Sequence, residues 1–417
     1  MDRSQKALFY VFSIQPMTQY QPNSTVHAGY QELAKSEVVK QSQSPDESAG
    51  EVTDLLCFSH LRWNFVYQRP QHLLSRASQN WRVWFIEEPI YSHEDRLEFH
   101  PVSETLTVVV PFLKHGTSHE EAIRQQREAV NQLIAQHSIR DFIAWYYTPM
   151  ALSFSDHLTP RLTIYDCMDE LSAFLGAPRS LLDKEKELLN RADLVFTGGM
   201  SLYEAKKTRH DSVFAFPSSI DYNHFEPARH SLPEPADVIG IAGPRIGFCG
   251  VIDERMNIGL LGELAQKRPD WQFVLLGPVV KINPAHLPKG PNLHYLGMKP
   301  YENLPAYFNQ WDVAMMPFAL NEATRYISPT KTPEYLAAGL PVVSTSIQDV
   351  ISTYGGWAPV LIADTAEAFE QAIDKALHHT MSDDWTAVDA FLLANSWDST
   401  WEAMNRLILA RMTVNFQ

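Results

Sequence analysis

Short apolar runs alternate with amphipathic stretches along most of this chain, and the series starts twice. The first series opens at Asp54-Leu-Leu-Cys-Phe-Ser59, with further strands expected at Val83–Ile86, Leu106–Val110, Phe142–Tyr147, Leu162–Tyr165 and Leu194–Phe196. Helices are expected between them at Gln71–Ser78, Glu120–Gln136, Arg179–Arg191 and Ser201–Lys207. Apolar runs without polar alternation mark strands buried on both faces, and helical crossovers between them impose a parallel sheet. After a turn-rich stretch at Pro233–Gly243 the series restarts with Arg245-Ile-Gly-Phe-Cys-Gly250. Strands at Gln272–Leu276, Asn292–Tyr295, Val313–Met316 and Val342–Ser344 follow, with helices at Ile258–Lys267, Tyr301–Phe308, Thr332–Ala338 and Ala366–Leu377. At 417 residues the chain exceeds one ordinary core. The expected architecture is α/β, with two doubly wound parallel-sheet domains facing across a cleft and ligands at the carboxyl ends of the strands.

The segment Ser328-Pro-Thr-Lys-Thr-Pro-Glu334 leads into the second of these sheets through a short helix and the strand after it. Gly339 and Pro341 supply the stop signal between helix and strand. Lys331 and Glu334 therefore sit at a helix start on the edge of a sheet. A cation and free amides suit phosphate, and a carboxylate suits the diol of a ribose.

Composition narrows the partners. A formal net charge of -15 excludes a broad basic face for nucleic acid. Cys57, Cys167 and Cys249 lie far apart in apolar runs, so free thiols in a reducing compartment are expected. No run of about 18 apolar residues occurs, and Leu8–Ile14 is too short for a secretory leader with a cleavage site. The expected location is the cytoplasm, at most peripheral to the inner membrane face. Residues 1–52, rich in Gln, Ser, Glu and Lys, read as a largely disordered extension.

Over residues 54 to 412 the chain resembles the GT-B glycosyltransferases, specifically the group 1, retaining-type superfamily of bacterial polysaccharide biosynthesis. Phe216-Pro-Ser-Ser-Ile-Asp221 with His224-Phe225 is similar to the family's interdomain Pro-Asn-Gly-Val-Asp…Phe motif, with Ser218-Ser219 in place of Asn-Gly. The Gly247–Arg255 loop, with Gly250, looks like the donor-diphosphate loop. Its Arg255 would hold phosphate oxygens by a guanidinium fork or, as the plainer alternative, pair with Asp253 or Glu254. Glu334 corresponds to the second Glu of the family's spaced Glu pair and would bind the ribose hydroxyls. Lys331, Ser328 and Thr330 would add phosphate and hydroxyl contacts. The first Glu of that pair is Tyr326 here, so the element touching the donor sugar is altered.

The resemblance divides the chain into the 1–52 extension, an acceptor-side Rossmann-like domain at 53–220, a nucleotide-sugar-binding Rossmann-like domain at 221–395, and a closing helix at 396–417 that crosses back to the first domain. It implies transfer of a sugar, a hexose by type, from a UDP- or GDP-linked donor to a glycan or lipid-linked acceptor in surface polysaccharide or glycoconjugate assembly. A catalytically silent GT-B scaffold is the alternative, prompted by Tyr326 and by the absence of a His in Trp145-Tyr-Tyr-Thr-Pro149, where many relatives place one. A Rossmann oxidoreductase is discounted, because no Gly-x-Gly-x-x-Gly joins a strand to a helix.

In the first domain the loop Ser59-His-Leu-Arg-Trp-Asn-Phe-Val-Tyr-Gln-Arg-Pro70 follows the first strand. Pro70 suits a helix start, which points Gln68 and Arg69, with His60, into the cleft. The alternative is that Trp63, Phe65 and Tyr67 pack while Arg69 pairs with Glu87 or Glu88. Arg62, Arg69, Arg76 and Arg82, interleaved with Trp63, Trp81 and Trp84, also raise a membrane surface as a partner. Tyr165-Asp-Cys-Met-Asp-Glu170 offers Asp166, Asp169 and Glu170 as a general base. Asp169 is the stronger choice for chemistry, and Asp166 and Asp169 also have the spacing of a capping box. No Asp-x-Asp stands at a plausible site, and no metal or cofactor is expected.

Overall fold

The computed structural model describes residues 53–378 and 385–414, so the expected N-terminal extension lies outside the described residues. The first sheet contains β1 (Asp54–Phe58), β2 (Arg82–Ile86), β3 (Ile90–Ser92), β4 (Arg96–Pro101), β5 (Leu106–Lys114), β6 (Phe142–Tyr146), β7 (Leu162–Cys167), β8 (Leu194–Thr197) and β9 (Val213–Ala215). Its order is β3-β5-β2-β1-β6-β7-β8-β9, with β4 antiparallel to β5 and every other pair parallel. The second sheet contains β10 (Arg245–Cys249), β11 (Gln272–Leu276), β12 (Leu293–Gly297), β13 (Val313–Met316), β14 (Val342–Ser344) and β15 (Val360–Ile362). These lie in the order β12-β11-β10-β13-β14-β15, all parallel.

Alternate residues of each strand enter different cores. Leu55, Cys57, Val83, Phe85, Ile143 and Trp145 face one hydrophobic cluster. Leu56, Phe58, Trp84, Ile86, Ala144 and Tyr146 face another across the same sheet. The second sheet does likewise, with Cys249, Val274 and Met316 on one face and Phe248, Phe273 and Met315 on the other. Two-sided burial is why these strands read as continuous apolar runs.

In both sheets the chain order reverses beside the first strand. β1 lies between β2 and β6, and β10 between β11 and β13. A crevice opens at such switch points, beyond the carboxyl ends of the strands. The loops that follow β1 and β10 are therefore the two loops best placed to meet a ligand.

The Trp397–Val414 helix crosses back as expected, setting Trp397, Trp401, Met404 and Ile408 into the first domain's core. Trp397 stacks on His72 at 4.6 Å, and Arg76 Nε donates to Asp398 at 2.6 Å. Each buried Trp contributes about 2–3 kcal/mol, as an upper bound, to holding this return segment down.

Candidate active site

The donor side is built on β10. Gly250 N–H donates to Leu276 O at 2.9 Å, and a Cβ on Gly277 (φ +137) would lie 1.8 Å from Gly250 O. Only glycine permits that approach of the β10 and β11 loops. Beyond it, Arg255 forks onto Asp253, with Nε at 3.0 Å from Oδ1 and Nη2 at 2.7 Å from Oδ2. The plainer sequence alternative for Arg255, pairing with Asp253, is thus the one the structure shows.

Lys331–Ala337 is a helix of seven residues. Cys249 N–H donates to Tyr335 Oη at 2.8 Å, and the phenol donates to Cys249 O at 3.2 Å, which pins the helix against the end of β10. Leu340 N–H returns to Tyr335 O and Gly339 N–H to Leu336 O, closing the helix with Gly339 at φ +76. Lys331 Nζ lies 2.5 Å from Glu334 Oε2, with side chains 15% and 6% exposed. Burial disfavours the Lys331 ammonium, but Glu334 outweighs it and holds the amine charged, above its ordinary range. The same burial pushes the Glu334 carboxyl upward against the pull of Lys331.

Across the cleft, β7 runs on to Cys167 and the chain then presents Asp169. Burial raises Asp169 to about 6, opposed by the nearby charges of Arg255 and Lys281 on the other domain. Lys281 Nζ lies 4.7 Å above the Phe174 ring and Arg255 lies 5.5 Å from it, so Phe174 of the first domain is the floor beneath both cations. His60 is buried, and burial together with Lys281 lowers it to about 3. It is therefore a neutral imidazole at the edge of this group.

The lobes are docked around this group. Ser201 N–H donates to Asp349 Oδ1 at 3.0 Å, and Ser218 Oγ donates to Ser328 O at 2.9 Å. A Cβ on Gly199 would fall 2.1 Å from Asp349 Oδ2 and 2.8 Å from Ser328 Cβ. Tyr326 packs against the first domain's core, and Tyr67 stacks on Tyr301 at 4.4 Å.

Several sequence expectations fail here. Asp166 lies inside β7, wholly buried, and Arg69 grips it with Nε at 3.0 and 3.1 Å from its two oxygens. Arg69 is 3% exposed and also donates to Phe216 O at 2.7 Å. It therefore neither faces the cleft nor pairs with Glu87 or Glu88, and Asp166 neither caps a helix nor meets a substrate. Gln68 ends in helix capping, its N–H donating to Gln71 Oε1 at 3.1 Å. Glu170 is held by Lys206 at 2.6 Å. Thr330 occupies the cap position of the Lys331 helix without a side-chain hydrogen bond. The basic and Trp-rich stretch is not a membrane face. Arg62, Arg69, Arg76 and Arg82 pair with Glu87, Asp166, Asp398 and Asp54, while Trp63, Trp81 and Trp84 are buried.

Lys281, Phe174, Gly199 and Asp349 escaped the sequence reading. Lys281 had one available signal, its place in the loop after β11 at the switch-point crevice. Among the described residues no three His, Cys, Asp or Glu side chains gather as a metal requires, and no helix is long and apolar enough to cross a membrane. The three cysteines are free and buried.

Residues 243–379 match the family described as Glycosyl transferases group 1. TuaH of Bacillus subtilis (strain 168), provisionally named a teichuronic acid biosynthesis glycosyltransferase, is 26% identical over 219 residues, which cover 49% of this chain and 55% of TuaH. The chain thus spans about half the length of this curated relative. Among solved structures, sucrose-phosphate synthase from Thermosynechococcus elongatus superposes with a TM-score of 0.62 at 15% identity, covering 87% of this chain and 100% of that one. A trehalose-6-phosphate structure from E. coli bound with UDP-2-fluoro glucose gives 0.62 at 13%, covering 86% and 99%. Anabaena Alr3699/HepE in complex with UDP and glucose gives 0.61 at 13%, covering 85% and 98%. At such identities the structural likeness is one of fold. The chain shares the two-domain fold of these structures, and residues 243–379 in its second domain match the Glycosyl transferases group 1 family.

Proposed function

We propose that this chain transfers a glycosyl unit from a nucleoside diphosphate sugar to a sugar-bearing acceptor in surface polysaccharide assembly. One observation carries the reading. Arg255 stands beyond β10 on the segment that follows it, the Lys331–Glu334 pair stands on the helix pinned against the end of β10, and Asp169 of the other domain feels the charge of Arg255 across the cleft. Diphosphate oxygens would draw Arg255 from Asp253 and Lys331 from Glu334, freeing Glu334 to accept from the ribose hydroxyls. As the bond from the sugar's anomeric carbon to the diphosphate oxygen breaks, an acceptor hydroxyl oxygen bonds to that carbon and its proton passes to Asp169. The electron pair leaves with the diphosphate, whose charge Arg255, Lys331 and Lys281 stabilise without a metal. The UDP-containing neighbours make a uridine donor the first to test, and the name of TuaH supports a polysaccharide acceptor.

A silent scaffold is the second reading, favoured by Tyr326, which replaces the family's first Glu and packs into the opposite domain. The two separate in one assay. UDP- and GDP-sugars are incubated with the protein and a glycan extract, and nucleotide release and product mass are followed. Transfer by the wild type that collapses in Asp169→Asn supports the enzyme. Binding with no donor consumed supports the scaffold.

A further inference from the structure

The structure holds a second concavity, away from the Lys331–Glu334 pair, that the sequence reading did not identify. It is a cavity of about 1010 Å³, measured out to solvent, beyond the carboxyl ends of β1, β2 and β6. Its apolar walls include Phe58, Phe154 and Met150, and its polar groups include Glu88, Tyr91 and Thr148. Phe58 and Phe154 meet edge to face at 6.0 Å. Met150 packs on the small cluster that contains Phe174, the ring beneath Arg255 and Lys281. The cavity wall thus touches, through Met150, the cluster on which the donor cations rest.

We infer that this cavity is the acceptor subsite and that it takes a sugar unit bearing neither phosphate nor carboxylate; this rests on the transferase reading above. Three features carry it. The walls combine flat apolar surface with hydroxyl and carboxylate groups, the mixture that suits the two faces of a pyranose. Among the described residues no Lys or Arg lines the cavity, and the Arg62 guanidinium, beside the lining residues Glu87 to Pro89, is taken up by Glu87 Oε2 at 2.9 Å, Glu88 O at 2.5 Å and Pro89 O at 3.3 Å. An entering anion would meet the Glu88 carboxyl, with the His119 imidazole the one basic side chain among the described residues of the lining, and a carboxylate beside an anion is disfavoured.

A further feature that favours an anion is the start of the His119–Gln136 helix, which borders the cavity. It is already offset, because Ser118 Oγ accepts from Glu121 N and Glu120 and Glu121 fill its first turn. Glu88 is partly exposed to the cavity, and burial raises its carboxyl to about 7. The charge acting on it is Arg62 of its own domain, whereas Asp169 feels Arg255 and Lys281. Glu88, which lines the cavity, is therefore assigned to acceptor recognition, and Asp169, beside the donor cations, to the reacting bond. This sets the chain apart from neighbours named for sugar phosphates, such as sucrose-phosphate synthase.

The test is saturation-transfer NMR on the full chain with methyl β-glucoside, methyl β-N-acetylglucosaminide, glucose 6-phosphate and glucuronate, with UDP titrated in parallel. The inference expects a neutral glycoside to bind and the two anions to bind at least about tenfold more weakly. Ser153→Trp, which fills the cavity, should remove the neutral signal, and Glu88→Lys should admit glucose 6-phosphate. Anions binding as well as neutral sugars, or neutral binding untouched in both variants, overturns it. Binding of UDP with no neutral glycoside bound also overturns it while sparing the transferase reading; glycoside binding without UDP binding does the reverse.

Discussion

Replacing Arg69 by Leu should unfold the first domain far more readily than any loss of a surface arginine. Arg69 is 3% exposed and Asp166 fully buried, and their oxygens and nitrogens lie 2.9–3.1 Å apart. Removing the guanidinium leaves a carboxylate with no counter-charge in the core, which costs about 3–5 kcal/mol. Phe216 O loses its 2.7 Å donor as well, adding about 1 kcal/mol or more. For a domain of this size each kcal/mol lowers the melting temperature by about 2–4 °C, so a loss of about 4–6 kcal/mol should lower it by roughly 8–24 °C. The double variant Arg69→Leu/Asp166→Leu removes the charge with its partner and should regain all but the about 1–2 kcal/mol owed to Phe216 O. Differential scanning calorimetry of the wild type, both single variants and the double variant closes the cycle. A single variant within about 1 kcal/mol of the wild type would refute the buried-pair reasoning. So would a double variant no more stable than Arg69→Leu.

Other outcomes follow from the same geometry. Asp169 must be ionised to accept a proton, so kcat/KM should fall as pH drops through about 6, and Asp169→Asn should erase that limb; a profile flat down to pH 4.5 would return Asp169 to a structural role. Gly199→Val places carbon where Asp349 and Ser328 now sit, and should loosen lobe closure, enlarging the radius of gyration by X-ray scattering and raising the donor KM; unchanged scattering and KM would show that the interface yields without opening. Turnover should survive excess EDTA, because protein cations are proposed to carry the diphosphate charge; loss restored by magnesium would reverse that.

What could be read in advance divides along physical lines. β1 and β10 announced themselves because two-sided burial leaves a run of apolar residues in the chain itself. β3, only three residues long, and β4, which mixes Arg, Glu and His with apolar residues, are at most partly buried at the sheet's edge, so no run marks them. β7 was ended too early at Tyr165 because Asp166 looked like a cap. Its burial depends on Arg69, 97 residues away, and no local pattern records that pairing. Lys331 and Glu334 were legible because their spacing along one helix brings them together. Lys281 and Asp349 were not, because their surroundings exist only once the two domains dock. Glu88 is the second residue after β2, and an acid just beyond the end of a buried strand is a signal the sequence does carry.

The central claim is that the second domain grips a nucleoside diphosphate through Arg255, Lys331 and Glu334. Calorimetric titration of UDP and GDP into wild type, Arg255→Ala, Glu334→Ala and Asp169→Asn tests it most directly. Saturable binding by the wild type and by Asp169→Asn, weakened at least about tenfold (~1.4 kcal/mol) in Arg255→Ala and Glu334→Ala, is the predicted result. Binding of neither nucleotide, or equal binding by all four proteins, would contradict it.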